Sequence, residues 1–339
     1  MGIERFFNSL KGEANISNII NQINNKTILN SKYLFIDFNS IIHFVSQRVN
    51  NIIDKAYTQS LMEVNGLTTE EFNSAYYFEL LNMKDLPLID TSSEKHVINN
   101  LKEYFSSDKL NKIVIKNVGI YLKQLLKKFN RNKLEKIIIA IDGVPSKAKM
   151  VEQKKRRFMG EFEKNIKINL VEKYKDFLDR EYEDTKLDDK PAPFNKYRYL
   201  TNFINWSRGN ISPATSFMIE LSIYLKSAEL KNEINKILPL VTRNNFIVSD
   251  FSDKDEGEKK IMDFVNNINN EVEGEICIYS PDADIILLSM ILKNNKISKK
   301  VLRIDQQKSD YLHINRTRYD IIDIDKLENK IFEFIGKKE

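Results

Sequence analysis

The chain has 339 residues, 42% hydrophobic and 30% charged, a balance that suits a chain with a buried core and not a disordered one. Its 53 Lys and Arg stand against 48 Asp and Glu, a net charge of +5 that is too small to imply a nucleic-acid partner by itself. One cysteine, Cys277, excludes an internal disulfide and a cysteine-built zinc site; three histidines, His43, His96 and His313, argue against a His-rich one, so any metal here must be held by carboxylates.

Taken along the chain, Met1-Gly2-Ile3-Glu4-Arg5 meets charge at once and no apolar leader follows. No apolar run approaches the ~18 residues of a membrane span. No membrane partner is therefore expected. The expected compartment is the cytoplasm, a host's if the chain is viral, with the nucleus left open. Tyr33–Ile36 is a short β-branched and aromatic run that reads as a buried parallel strand. The polar stretch of about 51–112, with turn-prone Asp85-Leu86-Pro87 and Asp90-Thr91-Ser92-Ser93, reads as a surface insertion. Val118–Phe129 carries apolar residues at helical spacing, and Lys136–Ile141 is a second strand. Lys147–Phe158 reads as a helix, with Pro145 and Ser146 suited to its start. Glu183–Lys196 reads as a loop, Ser216–Leu230 and Lys259–Ile268 as helices, and Asn245–Val248 and Ile276–Tyr279 as strands. Strands alternating with helices predict an α/β fold with a central, mostly parallel, twisted sheet flanked by helices.

The predicted strands run into acids. Asp37 and Asp142 follow the first two, Glu256 and Glu258 lie beyond Val248, and Asp282 and Asp284 follow Tyr279. In an open α/β sheet the crevice beyond the carboxyl ends of the strands is where ligands bind. Each acid alone has a plain structural use: a turn residue, a helix N-terminal charge, or, for Ser280-Pro281-Asp282, a helix cap. Four acid-bearing strand ends in one α/β pattern tip the balance toward a cation site. Crowded carboxylates repel unless cations neutralise them, and hard divalent ions prefer oxygen ligands. Two such ions roughly 3.5–4 Å apart would serve phosphoryl transfer.

Lys149, Gln153, Arg156 and Arg157 stand at i, i+4, i+7 and i+8 of the predicted helix that follows Asp142. They form one polar stripe. A charge run is usually a solvated face. A stripe of cationic donors shortly after an acid also suits a phosphate, Arg through its planar fork and Lys as a compact charge.

With those residues in view, the chain resembles the N-terminal nuclease region of the XRN family of 5′→3′ exoribonucleases. Met1–Phe7 is similar to that family's opening Met-Gly-Val-Pro-x-Phe-Phe, and Asp37-Phe38-Asn39-Ser40-Ile41-Ile42-His43 to its Asp-x-Asn-Gly-Ile-Ile-His. Ala140–Val144, Ala148–Met150 and Gln153–Phe158 resemble Ala-Ile-Asp-Gly-Val, Ala-Lys-Met and Gln-x-x-Arg-Arg-Phe, with the spacing kept. Ile211–Met218 resembles Ile-Thr-Pro-Gly-Thr-x-Phe-Met, Glu256–Met262 resembles Glu-Gly-Glu-His-Lys-Ile-Met, and Asp282–Ile285 resembles Asp-Ala-Asp-Leu. A large DNA virus would suit the A/T-rich residue usage and compact length.

The resemblance implies a PIN/flap-nuclease-like fold in a single nuclease domain over residues 1–339, atypical in its 51–112 stretch. It implies that Asp37, Asp142, Glu256, Glu258, Asp282 and Asp284 hold or organise Mg²⁺ or Mn²⁺, two ions in all. Lys149, Gln153, Arg156 and Arg157 would grip the 5′-monophosphate of single-stranded RNA, and His43 would stack on its first base. The implied activity is stepwise hydrolysis from the 5′ end to mononucleotides. Trp206 is assigned to packing.

The chain also departs from the family pattern. Ala214 stands at a family glycine, and Asp255 and Lys259 stand where Gly and His are usual. A Gly-Asn-Asp-Phe-Leu-Pro motif, which supplies a further metal-ligand Asp beyond the segment resembling Tyr319–Ile335, has no counterpart here. Two further expectations follow: a catalytically impaired binder of RNA 5′ ends, or the N-terminal half of a split nuclease completed by a second polypeptide.

Overall fold

The computed structural model describes residues 19–66, 73–177 and 205–336, apart from 25, 84, 86, 88, 91, 146, 175, 242–243, 269–272, 293–295, 306–308 and 311, and apart from the side chains of 148, 156, 157, 161, 164, 334 and 335. The Met1–Phe7 motif and the Glu183–Lys196 loop fall outside these residues. In chain order the elements are β1 (Ile20–Ile23), β2 (Tyr33–Asp37), α1 (Phe38–Val64), α2 (Ser74–Leu80), α3 (Glu94–Tyr104), α4 (Ser107–Leu126), β3 (Lys136–Ala140), α5 (Lys147–Lys173), α6 (Ser216–Lys226), α7 (Ala228–Ile237), β4 (Phe246–Ser249), α8 (Gly257–Ile268), β5 (Gly274–Tyr279), α9 (Asp284–Ile291), β6 (Ile297–Ile304), β7 (Tyr319–Asp323) and α10 (Ile324–Gly336). They group into two compact units. One comprises Met1–Phe44, Val118–Pro145 and Asn210–Glu339; the other comprises Val45–Asn117 and Ser146–Gly209.

The first unit holds a seven-stranded sheet in the order β1-β7-β6-β5-β2-β3-β4. The five strands β4, β3, β2, β5 and β6 run parallel, and β7 and β1 add antiparallel neighbours at one side. The predicted α/β class and mostly parallel sheet are therefore what the chain forms. The central runs are apolar throughout because both faces are covered. Phe35, Ile138, Ile276 and Ile278 share one buried cluster with Ile261 and Val265 of α8, Ile285 and Ile286 of α9, and Leu327 of α10. The alternate positions Leu34, Ile36, Ile137, Ile139, Cys277 and Tyr279 are also fully buried, as the two-residue period of a strand requires. Three buried hydroxyls meet in this unit: Tyr121 and Tyr279 lie 2.9 Å apart, and Tyr319 donates to Tyr121 at 3.2 Å.

The expected helices change length: that over Lys147–Phe158 runs on to Lys173 and that from Lys259 starts at Gly257, and two others change for local reasons. The single helix expected over Ser216–Leu230 is broken at Ser227, whose backbone is extended and whose hydroxyl accepts from Leu230 N–H to start α7. The helix expected at Val118–Phe129 is the second half of α4, which begins at Ser107.

In the second unit, the described residues of 51–112 are largely helical. Ile53, Tyr57 and Leu61 on α1, with Val97 and Leu101 on α3, are buried at helical spacing. Asn73 and Ser93 cap α2 and α3 by accepting from Tyr76 and His96 N–H. Trp206 is buried, and its Nε1 donates to Asn111 Oδ1 at 2.8 Å. Asn50 bonds both the N–H and the C=O of Trp206.

Candidate active site

The site begins with strand register. Asp37 is the last residue of β2 and sits opposite Ala140 of β3, and Ile36 sits opposite Tyr279 of β5. Asp142 and Ser280 are therefore delivered to the same end of the sheet. From β2 the chain builds outward through β3 and β4, then crosses back to place β5 on the other side of β2. In open α/β sheets, the carboxyl ends of strands at such a reversal, here β2 and β5, are where ligands bind.

The first turn of α8 is pressed into this end of the sheet. Gly257 N–H donates to Asp142 Oδ1 at 2.7 Å. The Asp142 carboxylate thereby satisfies an otherwise orphaned helix N-terminal donor. A Cβ on Gly257 would lie 3.2 Å from both Ala140 O and Asp142 Oδ1 and 3.4 Å from Asp37 Oδ1. Glycine at 257 is what lets the helix approach two carboxylates at once. Gly143 is tighter still: its N–H donates to Asp255 O at 2.9 Å, and a Cβ there would meet Asp253 O at 1.8 Å.

Asp37, Glu258 and Asp282 come together, each offering a ligand oxygen within 4.8 Å of the others. Asp37 is buried, Glu258 half-buried and Asp282 exposed. Burial, with the nearby charges of Asp142, Asp282 and Glu258, holds the Asp37 carboxyl well above the usual range. Burial, followed by the charges of Asp282 and Asp284, pushes Glu258 up to about 7. Asp142 is raised by burial, against the opposing effects of the Gly257 N–H and the Lys260 ammonium, and Glu256 adds to the rise. All six predicted acids thus share one electrostatic neighbourhood, although only three converge at ligand distance among the described residues. An all-oxygen set under mutual repulsion fits a hard divalent cation such as Mg²⁺ or Mn²⁺.

Several supporting residues were not among the predicted ones. Asn39 Oδ1 accepts from Asp142 N–H at 3.2 Å, which ties the start of α1 to the end of β3. Buried Lys260 donates to Ile141 O at 2.6 Å and Asp250 O at 2.7 Å. It joins the ends of β3 and β4 and places a cation beside the acids. Ser280, readable as a helix cap, instead donates to Asp37 Oδ2 at 2.9 Å. Helix α9 starts later, at Asp284, and Ala283 gives it no side-chain cap. Asn39, Gly257 and Lys260 all stand inside the motifs quoted above, so the signal for them was adjacency to an acid.

His43 lies on the exposed side of α1, in the same unit as the acids. Lys149 and Gln153 are half-buried on α5, in the second unit, and Lys149 faces Glu152 across one turn at 3.8 Å. Arg156 and Arg157 share that helix, but their side chains fall outside the described residues.

The sequence from residue 53 to residue 305 matches the XRN 5'-3' exonuclease N-terminus family. The chain belongs to that family. Asp37 precedes the matched stretch, and the fold nonetheless sets it against Glu258 and Asp282 inside the match. Among XRN relatives, the "Putative 5'-3' exonuclease R528" of Acanthamoeba polyphaga mimivirus is 35% identical over 169 residues, 49% of this chain and 25% of its own length. The 5'-3' exoribonuclease 2 of Eremothecium gossypii is 30% identical over 204 residues, 57% and 19% respectively. That of Schizosaccharomyces pombe is 32% identical over 158 residues, 45% and 15%. The chain spans a quarter or less of the length of these relatives. Among the described residues, no helix is long and apolar enough to cross a membrane.

Proposed function

We propose that this XRN-family chain carries a divalent-metal-dependent 5′→3′ exoribonuclease activity that degrades 5′-monophosphorylated single-stranded RNA to mononucleotides. The observation that carries the reading is the convergence of Asp37, Glu258 and Asp282 within 4.8 Å at the sheet's switch point. The names of the relatives support an RNA substrate. A second polypeptide, the other expectation, finds no support among them.

Asp37, Glu258 and Asp282 would hold Mg²⁺ or Mn²⁺, with Asp142, Glu256 and Asp284 around them. A divalent ion there would supply charge stabilisation for phosphoryl oxygens and would make an attacking water more acidic. The protein's own part is orientation. Asp142 fixes the first turn of α8, which carries Glu258, and Lys260 holds the strand ends that deliver Asp142. His43 is exposed, and a first base would stack on its imidazole. Lys149, Gln153, Arg156 and Arg157 would take the 5′-monophosphate, Arg by its bidentate fork.

The test is a time course on 5′-monophosphate, 5′-hydroxyl and 5′-triphosphate single-stranded RNAs, with Mg²⁺ or with EDTA. Mg²⁺-dependent loss of the monophosphate RNA alone, to mononucleotides, is the expected result. Monophosphate-selective binding with no cleavage would replace the enzyme by a 5′-end binder.

A further inference from the structure

We propose that Ser280 is a positioning residue for the acid site, fixing Asp37 and Asp282 together so that they can share a divalent cation. The inference rests on the reading of the acid cluster as a cation site. Ser280 is wholly buried one residue beyond β5, and its backbone N–H continues the ladder to Leu302 O at 3.2 Å. A serine hydroxyl has one proton to give, and this one goes to Asp37 Oδ2 at 2.9 Å. Ser280 Oγ in turn accepts from Asp282 N–H at 3.2 Å. One side chain thus spans from the acid at the end of β2 to the turn that carries the acid beyond β5.

The arrangement has a direct consequence for ligand geometry. With Oδ2 held, the plane of the Asp37 carboxylate is set. Its Oδ1 lies against the first turn of α8, 3.4 Å from where a Gly257 Cβ would stand, and that turn carries Glu258. The N–H bond to Ser280 likewise sets the backbone from which the Asp282 side chain leaves. Asp37 and Asp282 repel each other. Without the hydroxyl between them, rotation apart relieves that repulsion and separates two of the three ligand oxygens. Hydrogen-bonding partners that orient metal ligands typically contribute 10–100-fold to metal affinity.

The experiment is Mn²⁺ titration of the full chain by calorimetry and by Mn²⁺-induced thermal shift, for wild type, Ser280→Ala, Ser280→Cys and Ser289→Ala. Ser289 is a second buried serine of the same unit, and its hydroxyl donates to Ile285 O within its own helix. Ser280→Ala is expected to weaken Mn²⁺ binding about tenfold or more. Ser280→Cys, with a weaker donor of similar size, should fall between it and wild type, and Ser289→Ala should match wild type. Melting temperatures in EDTA give each variant its own baseline, because a lost buried hydrogen bond lowers stability with no cation present, and the Mn²⁺-induced shift is read from that baseline. Wild-type Mn²⁺ affinity in both Ser280 variants, within twofold, overturns the role of Ser280 while leaving the cation site standing. A wild type that binds no Mn²⁺ overturns both.

Discussion

The acid-bearing end of the sheet and the helix α5 are built on opposite terms. At the sheet end, Asp37 and Asp142 are each held by hydrogen bonds from other elements, and Ser280, which holds Asp37, also bonds the turn of Asp282. Along α5 the described side chains are mostly exposed, Phe158 and Phe162 among them, stacked ring on ring at 6.1 Å. Convergence of ligand oxygens needs fixed distances, which strand register and buried bonds supply. A helical stripe of cations needs only periodicity, which one helix provides alone. The first is fragile to small changes and the second is tolerant of them.

The largest test of that contrast uses substitutions at both places. Glu258→Gln should lower RNA turnover about a thousandfold, roughly 4 kcal/mol of transition-state stabilisation, while changing RNA affinity only a few-fold. Arg156→Ala combined with Arg157→Ala should instead erase the preference for 5′-monophosphate over 5′-hydroxyl ends, measured in competition. A Glu258→Gln protein with full turnover would remove the acid from the site.

Glycine substitutions sharpen the same contrast in stability. Gly143→Ala forces a Cβ against Asp253 O at 1.8 Å, so a loss of about 3 kcal/mol is expected in chemical denaturation. Gly160, inside α5, has nothing within 4 Å of its added Cβ, and Gly160→Ala should gain about 0.5–1 kcal/mol. Equal effects at the two positions would refute the difference in packing.

A pH titration separates the regions next. Glu258 is raised from 4.5 to about 7 in the folded chain. Between those values the folded state keeps a proton that the unfolded state has lost. Metal-free stability should therefore fall as pH rises from about 5 to 7, by at most about 1.4 kcal/mol per pH unit for this proton. Glu258→Gln should flatten that component, and saturating Mg²⁺ should do the same in the wild type. A wild type and Glu258→Gln with parallel pH profiles would contradict it.

The smallest effects concern two positions where the family usually has glycine. Ala214 has φ 64° and Asp255 has φ 77°, both in the left-handed region that costs a side chain about 1 kcal/mol or more. Ala214→Gly should gain about 1 kcal/mol. Asp255→Gly should be nearly neutral, because aspartate tolerates this region and the Asp255 carboxylate bonds Lys259 at 2.7 Å.

These two residues also show how legible the chain was. Their departure from glycine was visible in the sequence, and the backbone confirms what glycine would have been there to do. The buried strands were legible because each apolar run and its terminal acid are adjacent in sequence. Strand β6 was hidden by its lysines: Lys299 is buried, with its Nζ donating to Leu292 O at 2.9 Å, and Lys300 pairs with Glu275. Strand β1, Ile20-Asn21-Gln22-Ile23, is a polar edge strand with no run to detect. Ser280 could not be read as a partner of Asp37, because a Ser-Pro-Asp sequence fits a cap equally well; only the tertiary partner, Asp37, decides where its proton goes.

The second unit carries a chromophore of its own. Trp206 is the only tryptophan and is sealed in the second unit against Asn111. In the first unit, burial pushes the phenols of Tyr121, Tyr279 and Tyr319 far up, so their ionisation at alkaline pH waits for that unit to open. Indole fluorescence would thus follow the second unit without a label, while the alkaline rise of phenolate absorbance, to which buried Tyr57 of the second unit also contributes, would report the opening of both units.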